Sequence, residues 1–155
     1  MAILVENRQA KIKINIQRLR KILDRILKHL NLEDGEISLL FVDDEGIKKI
    51  NYQYLNRNYP TNVIAFSMRE GEFGDINPHI LGDVVISVET ALRDAEKENI
   101  RFEDELDYLM IHGILHLLGY NHGKSEIESR RMKEKENEIF FQNEIFFQVK
   151  EYIIE

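Results

Sequence analysis

The chain has 155 residues, 43% of them hydrophobic, which is one domain's length with enough apolar mass to bury a core. Its net charge of −7 argues against a general nucleic-acid binder, and the absence of cysteine excludes disulfides and leaves His with Asp or Glu for any transition-metal site. No stretch approaches the roughly 20 apolar residues of a membrane span, and the charged N-terminus lacks a signal-peptide apolar run, so a soluble cytoplasmic protein without a membrane partner is expected.

Residues 3–6 read as a short strand. Ile16, Leu19, Leu23, Ile26, Leu27 and Leu30 recur at helical spacing, which predicts a helix over about 15–30 that ends at the turn 31–35. The first 28 residues carry eight Lys/Arg against two acids, whereas the rest of the chain is strongly acidic. The plain reading of that bias is a solvated basic helix face; the functional one is a local surface for an anionic partner. Residues 37–42 form the next strand, and Asp43 caps a helix running to about Leu55. Two β-rich runs follow, 61–68 and 80–88, joined by a loop over 71–78 with turn residues Gly71, Gly74 and Asn77-Pro78. Ser87 caps a helix over 88–99. The helix predicted over 103–118 is apolar on most sides and should be buried. Ser125 and Glu128 form a capping box before a last helix.

No linker divides the chain, so one domain over 1–155 is expected. Asn-Glu-Ile-Phe-Phe-Gln occurs twice in tandem, at 137–142 and 143–148. Six residues turn a helix by about 600°, so the two Phe pairs would face about 120° apart and could not share one core stripe without a break. The second copy therefore reads as a C-terminal extension over 143–155; the alternative is that Phe146 and Phe147 cover a neighbouring subunit.

Three of the five histidines explain one another. His112 and His116 are four apart on a helix, so their imidazoles leave one face and can share a metal. Gly119 can adopt the left-handed geometry that stops a helix, and His122 can then return as a third ligand. The spacing His-x3-His-x5-His is that of the metzincin zinc proteases. Three neutral imidazoles and one open position form a catalytic arrangement for one divalent ion, Zn²⁺ by preference, whose bound water the metal acidifies for hydrolysis. The reaction stays open at this point. In the His-Glu-x-x-His proteases the residue after the first ligand is the general base, and here it is Gly113, which has no side chain to take a proton. Asp83, on a strand after Gly82, could hydrogen-bond a ligand histidine or accept a proton from the metal water. His79 reads as solvated, and His29 as favouring a helix C-terminus.

The segment His112-Gly-Ile-Leu-His116-Leu-Leu-Gly119-Tyr120-Asn121-His122 resembles the signature of the YbeY family of metallo-endoribonucleases, also called rRNA maturation factors. Leu81-Gly82-Asp83-Val-Val-Ile-Ser87 resembles the family's Leu-Gly-Asp strand, and Leu55-Asn56 with Pro60-Thr61-Asn62-Val63-Ile64-Ala65-Phe66 its other strand motif. Met132 and Glu136 fall where the family's last helix has a Met and a Glu. The resemblance covers roughly residues 39–139. It implies an α+β fold, a small mixed sheet flanked by helices with a zinc site in a cleft, and it assigns His112, His116 and His122 as ligands of one Zn²⁺ per chain. It also implies cleavage of single-stranded RNA, in maturing the 3′ end of small-subunit rRNA and in ribosome quality control, with rRNA and the small ribosomal subunit as partners.

Two positions depart from the family pattern. Asn121 stands where an Asp is usual, which removes a negative charge beside the third histidine. Tyr59 abuts Pro60 directly, where the family has a segment whose Arg is implied to contact phosphate; Arg57 is the nearest stand-in. A metallopeptidase is the first rival reading, and a non-enzymatic, zinc-stabilised ribosome-binding factor the second.

Overall fold

The computed structural model describes residues 3–68, 79–120 and 125–142, the side chain of Gln142 excepted. In chain order they form β1 (Ile3–Asn7), α1 (Ile16–His29), β2 (Glu36–Val42), α2 (Asp44–Leu55), β3 (Val63–Ser67), β4 (Ile80–Ser87), α3 (Val88–Glu98), α4 (Phe102–Leu117) and α5 (Glu126–Gln142). These are the predicted elements, with ends shifted by a residue or two. The loop predicted over 71–78 lies outside the described residues.

The strands form one sheet in the order β1-β2-β4-β3. β1, β2 and β4 are parallel, and β3 closes the far edge antiparallel to β4. The expected α+β class with a small mixed sheet is what forms. Strand alternation divides the side chains between two faces. Ile37, Leu39, Phe41, Val84 and Ile86 pack with α1 and α4 in the main core, while Val42, Ile64 and Val85 pack with Ile47 of α2 on the opposite face. Each such apolar side chain contributes about 1.5–3 kcal/mol by leaving water.

The helix starts follow the sequence. The side chains of Asn15, Asp43, Ser87 and Ser125 accept hydrogen bonds from the amides of Arg18, Gly46, Thr90 and Glu128, two or three residues into α1, α2, α3 and α5. The stops were less legible. Asn31, Asn56 and Asn99 adopt left-handed backbone at φ 57°, 56° and 59°, which Asn tolerates because its amide bonds locally. Gly119 has the expected positive φ, 96°.

The basic N-terminal region is more than a solvated face. Leu19, Ile22, Leu23, Ile26 and Leu27 form the buried stripe of α1. Arg18, however, reaches across to α4, where its Nη2 donates to Oδ2 of the fully buried Asp107 at 2.5 Å. Lys11 lies 3.7 Å and 3.5 Å from the carboxylates of Asp43 and Glu89. His29 does not merely sit at a helix end: its Nε2 meets Oε2 of Glu138 on α5 at 2.7 Å. Among the described residues, no helix is long and apolar enough to cross a membrane.

α4 is the buried helix its sequence predicts, and Asp104, Glu105 and Asp107 of its first half are buried with it. Burial pushes the Glu105 carboxyl from its ordinary 4.5 up to about 7, with the charges of Glu98 and Asp94 acting in the same direction and Lys133 opposing.

Strand β4 bends through Gly82 at φ 135°, beside the register shift opposite Glu36 and Ile37. A Cβ there would lie 2.0 Å from the Phe66 carbonyl oxygen and 3.1 Å from Leu117 Cδ2. We expect Gly82→Ala to cost about 3 kcal/mol or more in denaturant unfolding, because backbone rather than a flexible side chain is in the way. A cost below about 1 kcal/mol would show that the strand relaxes.

Glu105 generates a pH prediction. A carboxyl with a raised folded pKa binds its proton more tightly folded than unfolded, so its contribution to stability falls as pH rises from 4.5 to about 7. Glu105→Gln cannot ionise. Its stability relative to the wild type should therefore rise by roughly 1–3 kcal/mol between about pH 4.5 and pH 8. Urea midpoints across that range measure this, and a pH-independent difference would contradict it.

Candidate metal centre

His112 and His116 project from one side of α4, one turn apart, with ring centroids 4.7 Å apart and planes at 69°. Their Nε2 atoms approach to 3.1 Å. On its other side, His112 Nδ1 lies 3.3 Å from Oε2 of Glu136, an acid of α5 that is nearly buried. A carboxylate only accepts, so the shared proton belongs on Nδ1 and the Nε2 lone pair of His112 is left facing His116.

This donor set fits a metal ion. Two nitrogens, each about 2.0–2.1 Å from one ion and tetrahedrally disposed, stand about 3.3 Å apart. The observed 3.1 Å is close to that spacing before any ion is added. His122, the expected third ligand, and Asn121 lie outside the described residues. Among the described residues, no group of three His, Asp or Glu comes together as a metal site.

The pair lies in a cleft of about 210 Å³ between α4, the edge strand β3 and the end of α2, lined by Asn51, Leu55, Arg57, Thr61, Val63, Ala65 and both histidines. Gly113 lines it too, and the packing explains why this position is a glycine. A Cβ there would lie 2.6 Å from Val84 Cγ1, a buried, β-branched side chain with little freedom to move. α4 therefore lies too close to β4 to carry a base at the position where the His-Glu-x-x-His proteases have theirs.

Arg57 is brought to the same cleft by a turn that Asn51 holds together. Asn56 ends α2 in left-handed backbone, and the Arg57 amide donates back to the Asn51 carbonyl at 3.2 Å. Asn51, 1% exposed, also donates from Nδ2 to the Tyr59 carbonyl at 2.8 Å. One buried amide residue thus ties both sides of the short Arg57 turn. The Arg57 side chain itself is exposed.

Asp83 is not brought to the histidines. It pairs with Phe66 and Ser38 across the sheet, one residue before Val84, which faces Gly113. Strand alternation therefore points Asp83 away from α4, and β4 is an interior strand around which the side chain cannot reach. Of the two roles expected of Asp83, that of partner to a histidine is filled for His112 by Glu136. His79 is exposed at the start of β4, as read.

The sequence carries signals for both supporting residues, Glu136 and Asn51. Met132, Ile139 and Phe140 form the buried stripe of α5, and Glu136 is the acid within it. Asn51 likewise continues the buried side of α2 one turn after Ile47. A polar residue on an apolar stripe needs a partner, and each of these finds one at the cleft.

Comparison with known proteins identifies the family and the fold. The family model described as endoribonuclease YbeY matches residues 4–144, reaching well beyond the motifs into the N-terminal third. A protein of Syntrophus aciditrophicus named endoribonuclease YbeY is 55% identical over 142 residues, covering 91% of this chain and 89% of that protein. One of the same name from Geobacter metallireducens is 49% identical, covering 90% and 94%. A Thermotoga maritima protein of known solution structure shares the fold, with TM-score 0.59 at 24% identity over 90% of both chains. A match over nearly the whole chain, with relatives at about half identity, places it: this chain belongs to the endoribonuclease YbeY family.

Proposed function

We propose that this chain is a cytoplasmic, zinc-dependent endoribonuclease that cuts single-stranded RNA during maturation of the 3′ end of small-subunit rRNA and in ribosome quality control. An endoribonuclease role in rRNA processing comes with the family. The observation that carries the metal reading is the 3.1 Å approach of the His112 and His116 Nε2 atoms, one of them backed by Glu136. In this reading His112, His116 and His122 hold one Zn²⁺, in a single domain over 1–155 with 143–155 as an extension. When bound, such an ion acidifies water and offsets charge on a phosphate oxygen.

The chain's own residues divide the remaining work. Glu136 keeps the His112 proton on Nδ1 and so keeps Nε2 available as a ligand. Arg57 is the cation among the described residues that line the cleft and would neutralise a phosphate oxygen there, while Asn51 positions it. A peptidase would need a base beside the attacking water, and the space beside Gly113 does not admit one. Binding to the small ribosomal subunit belongs to the same proposal.

His116→Ala should lose bound zinc by elemental analysis, lower the melting temperature and abolish chelator-sensitive RNA cleavage. Glu136→Gln should keep the fold and weaken zinc affinity or cleavage about 10–100-fold. Full zinc content and activity in His116→Ala would remove the metal reading. Zinc-loaded wild type that cuts neither RNA nor casein but still binds small subunits would leave the scaffold role instead.

Arg57→Ala should reduce RNA cleavage about ten- to a hundredfold, the loss of one charged hydrogen bond to phosphate, with zinc content unchanged. Arg57→Lys should recover part of it, since it restores the charge but not the planar fork. Cleavage by Arg57→Ala at the wild-type rate would exclude the arginine.

A further inference from the structure

Beside the cleft lies a surface that neither the metal nor Arg57 accounts for. Tyr54 and Tyr59 are 62% and 53% exposed, unusual for large aromatic side chains, and Leu55 between them in sequence is 41% exposed while also lining the cleft. Tyr54 rests edge-on against Phe66 of β3, with ring centroids 5.4 Å apart and planes at 65°. Ala65, next to that Phe66, lines the cleft, as do Arg57 and Thr61 on either side of Tyr59. Tyr59 is further fixed through its carbonyl, which Asn51 grips.

The charge of this region is as distinctive as its aromatics. In a chain with 28 acids and a net charge of −7, no Asp or Glu occurs from Gly46 to Met68, whereas Lys48, Lys49 and Arg57 do. A polyanion approaching the cleft along this side meets cations and neutral rings.

We infer that Tyr54 and Tyr59 form a stacking platform for unpaired bases flanking the phosphate held at the cleft, and so favour single-stranded over duplex RNA. The inference rests on the proposed nuclease reading for its substrate. Its physical basis is general: aromatic side chains stack on bases of any sequence, provided those bases are free of a duplex, while nearby cations track the backbone. In a duplex both faces of each base are already stacked, so these rings have nothing to receive. A protein partner is the competing occupant of an exposed aromatic surface. The run without acids from Gly46 to Met68 and the adjacency to the Arg57 cleft favour RNA.

The test is binding of a short single-stranded oligoribonucleotide to the full chain freed of metal by chelator, so that nothing is cut during the measurement. Tyr54→Ala and Tyr59→Ala should each weaken binding about five- to a hundredfold, the loss of one base–aromatic stack. Tyr59→Phe should bind as the wild type does, because the ring stacks without its hydroxyl. An abasic oligomer of equal length should bind the wild type at least as weakly as the normal oligomer binds either variant, and weak binding of duplex should be unchanged by either substitution. With six tyrosines and no tryptophan in the chain, stacking should also quench tyrosine fluorescence in the wild type, and less in each variant. Both tyrosines are exposed, so unchanged melting temperatures should accompany the weakened binding.

Unchanged single-strand affinity in both alanine variants, or equal affinity for the abasic oligomer, would overturn the platform and leave the surface to a protein partner. So would an equal loss for duplex RNA, which would indicate a charge effect. The two readings fail separately. A chain that binds RNA through these tyrosines but cuts none contradicts the nuclease reading alone. A zinc-dependent nuclease whose tyrosine variants bind normally contradicts the platform alone.

Discussion

The close approach of α4 to β4 is the constraint on which the rest of the structure depends. Two missing side chains permit it. Gly113 gives way to Val84, and Gly82 gives way to Leu117 and to the Phe66 carbonyl. With the helix seated this deeply, Leu106, Met110, Ile111, Ile114, Leu115 and Leu117 complete the core, and the two histidines emerge at the edge strand rather than inside the protein. The same contact that stabilises the fold therefore positions the two histidines. It also removes the space for a protease-type base, so one packing decision bears on both stability and reaction type.

The site is built by elements distant in sequence, each through a single polar residue on an otherwise apolar stripe. α5 contributes Glu136 between Met132 and Phe140, whose ring stacks on Tyr108 of α4 at a centroid distance of 4.0 Å. α2 contributes Asn51 one turn after Ile47. In each case apolar neighbours hold the helix in place and the polar group inherits that rigidity. This suits a metal or phosphate site, where a misplacement of about 1 Å is costly.

Charge is partitioned in the same spirit. Asp104, Glu105 and Asp107 in the first half of α4 are buried, where Arg18 reaches Asp107 and burial raises Glu105. The strand and helix that frame the Arg57 side carry no acid at all from Gly46 to Met68. A chain that is acidic overall thus presents a locally neutral-to-basic approach. The basic N-terminal region, by contrast, spends part of its charge inside the protein, on Asp107 and on Asp43 and Glu89.

The sequence by itself determined what depends on local spacing. Apolar periodicity located the elements, side-chain caps at Asp43, Ser87 and Ser125 marked three helix starts, and a four-residue spacing placed His112 and His116 on one face of α4. It also determined the family, because the motifs around those histidines are specific. The tertiary structure decided what depends on pairing between elements. Strand order and the pleat put Asp83 on the face opposite the histidines, which no one-dimensional pattern reveals, since the residue is adjacent in sequence to Val84, which faces α4. Helix packing chose Glu136 as the partner of His112 across 24 residues and gave His29 to Glu138 across 109. Arg57 reached the cleft through a left-handed Asn56 and a buried Asn51, whose bonds to the Arg57 amide and the Tyr59 carbonyl span the turn. Periodicity encodes which face a side chain leaves from, but which other face it meets is set by how the elements pack together.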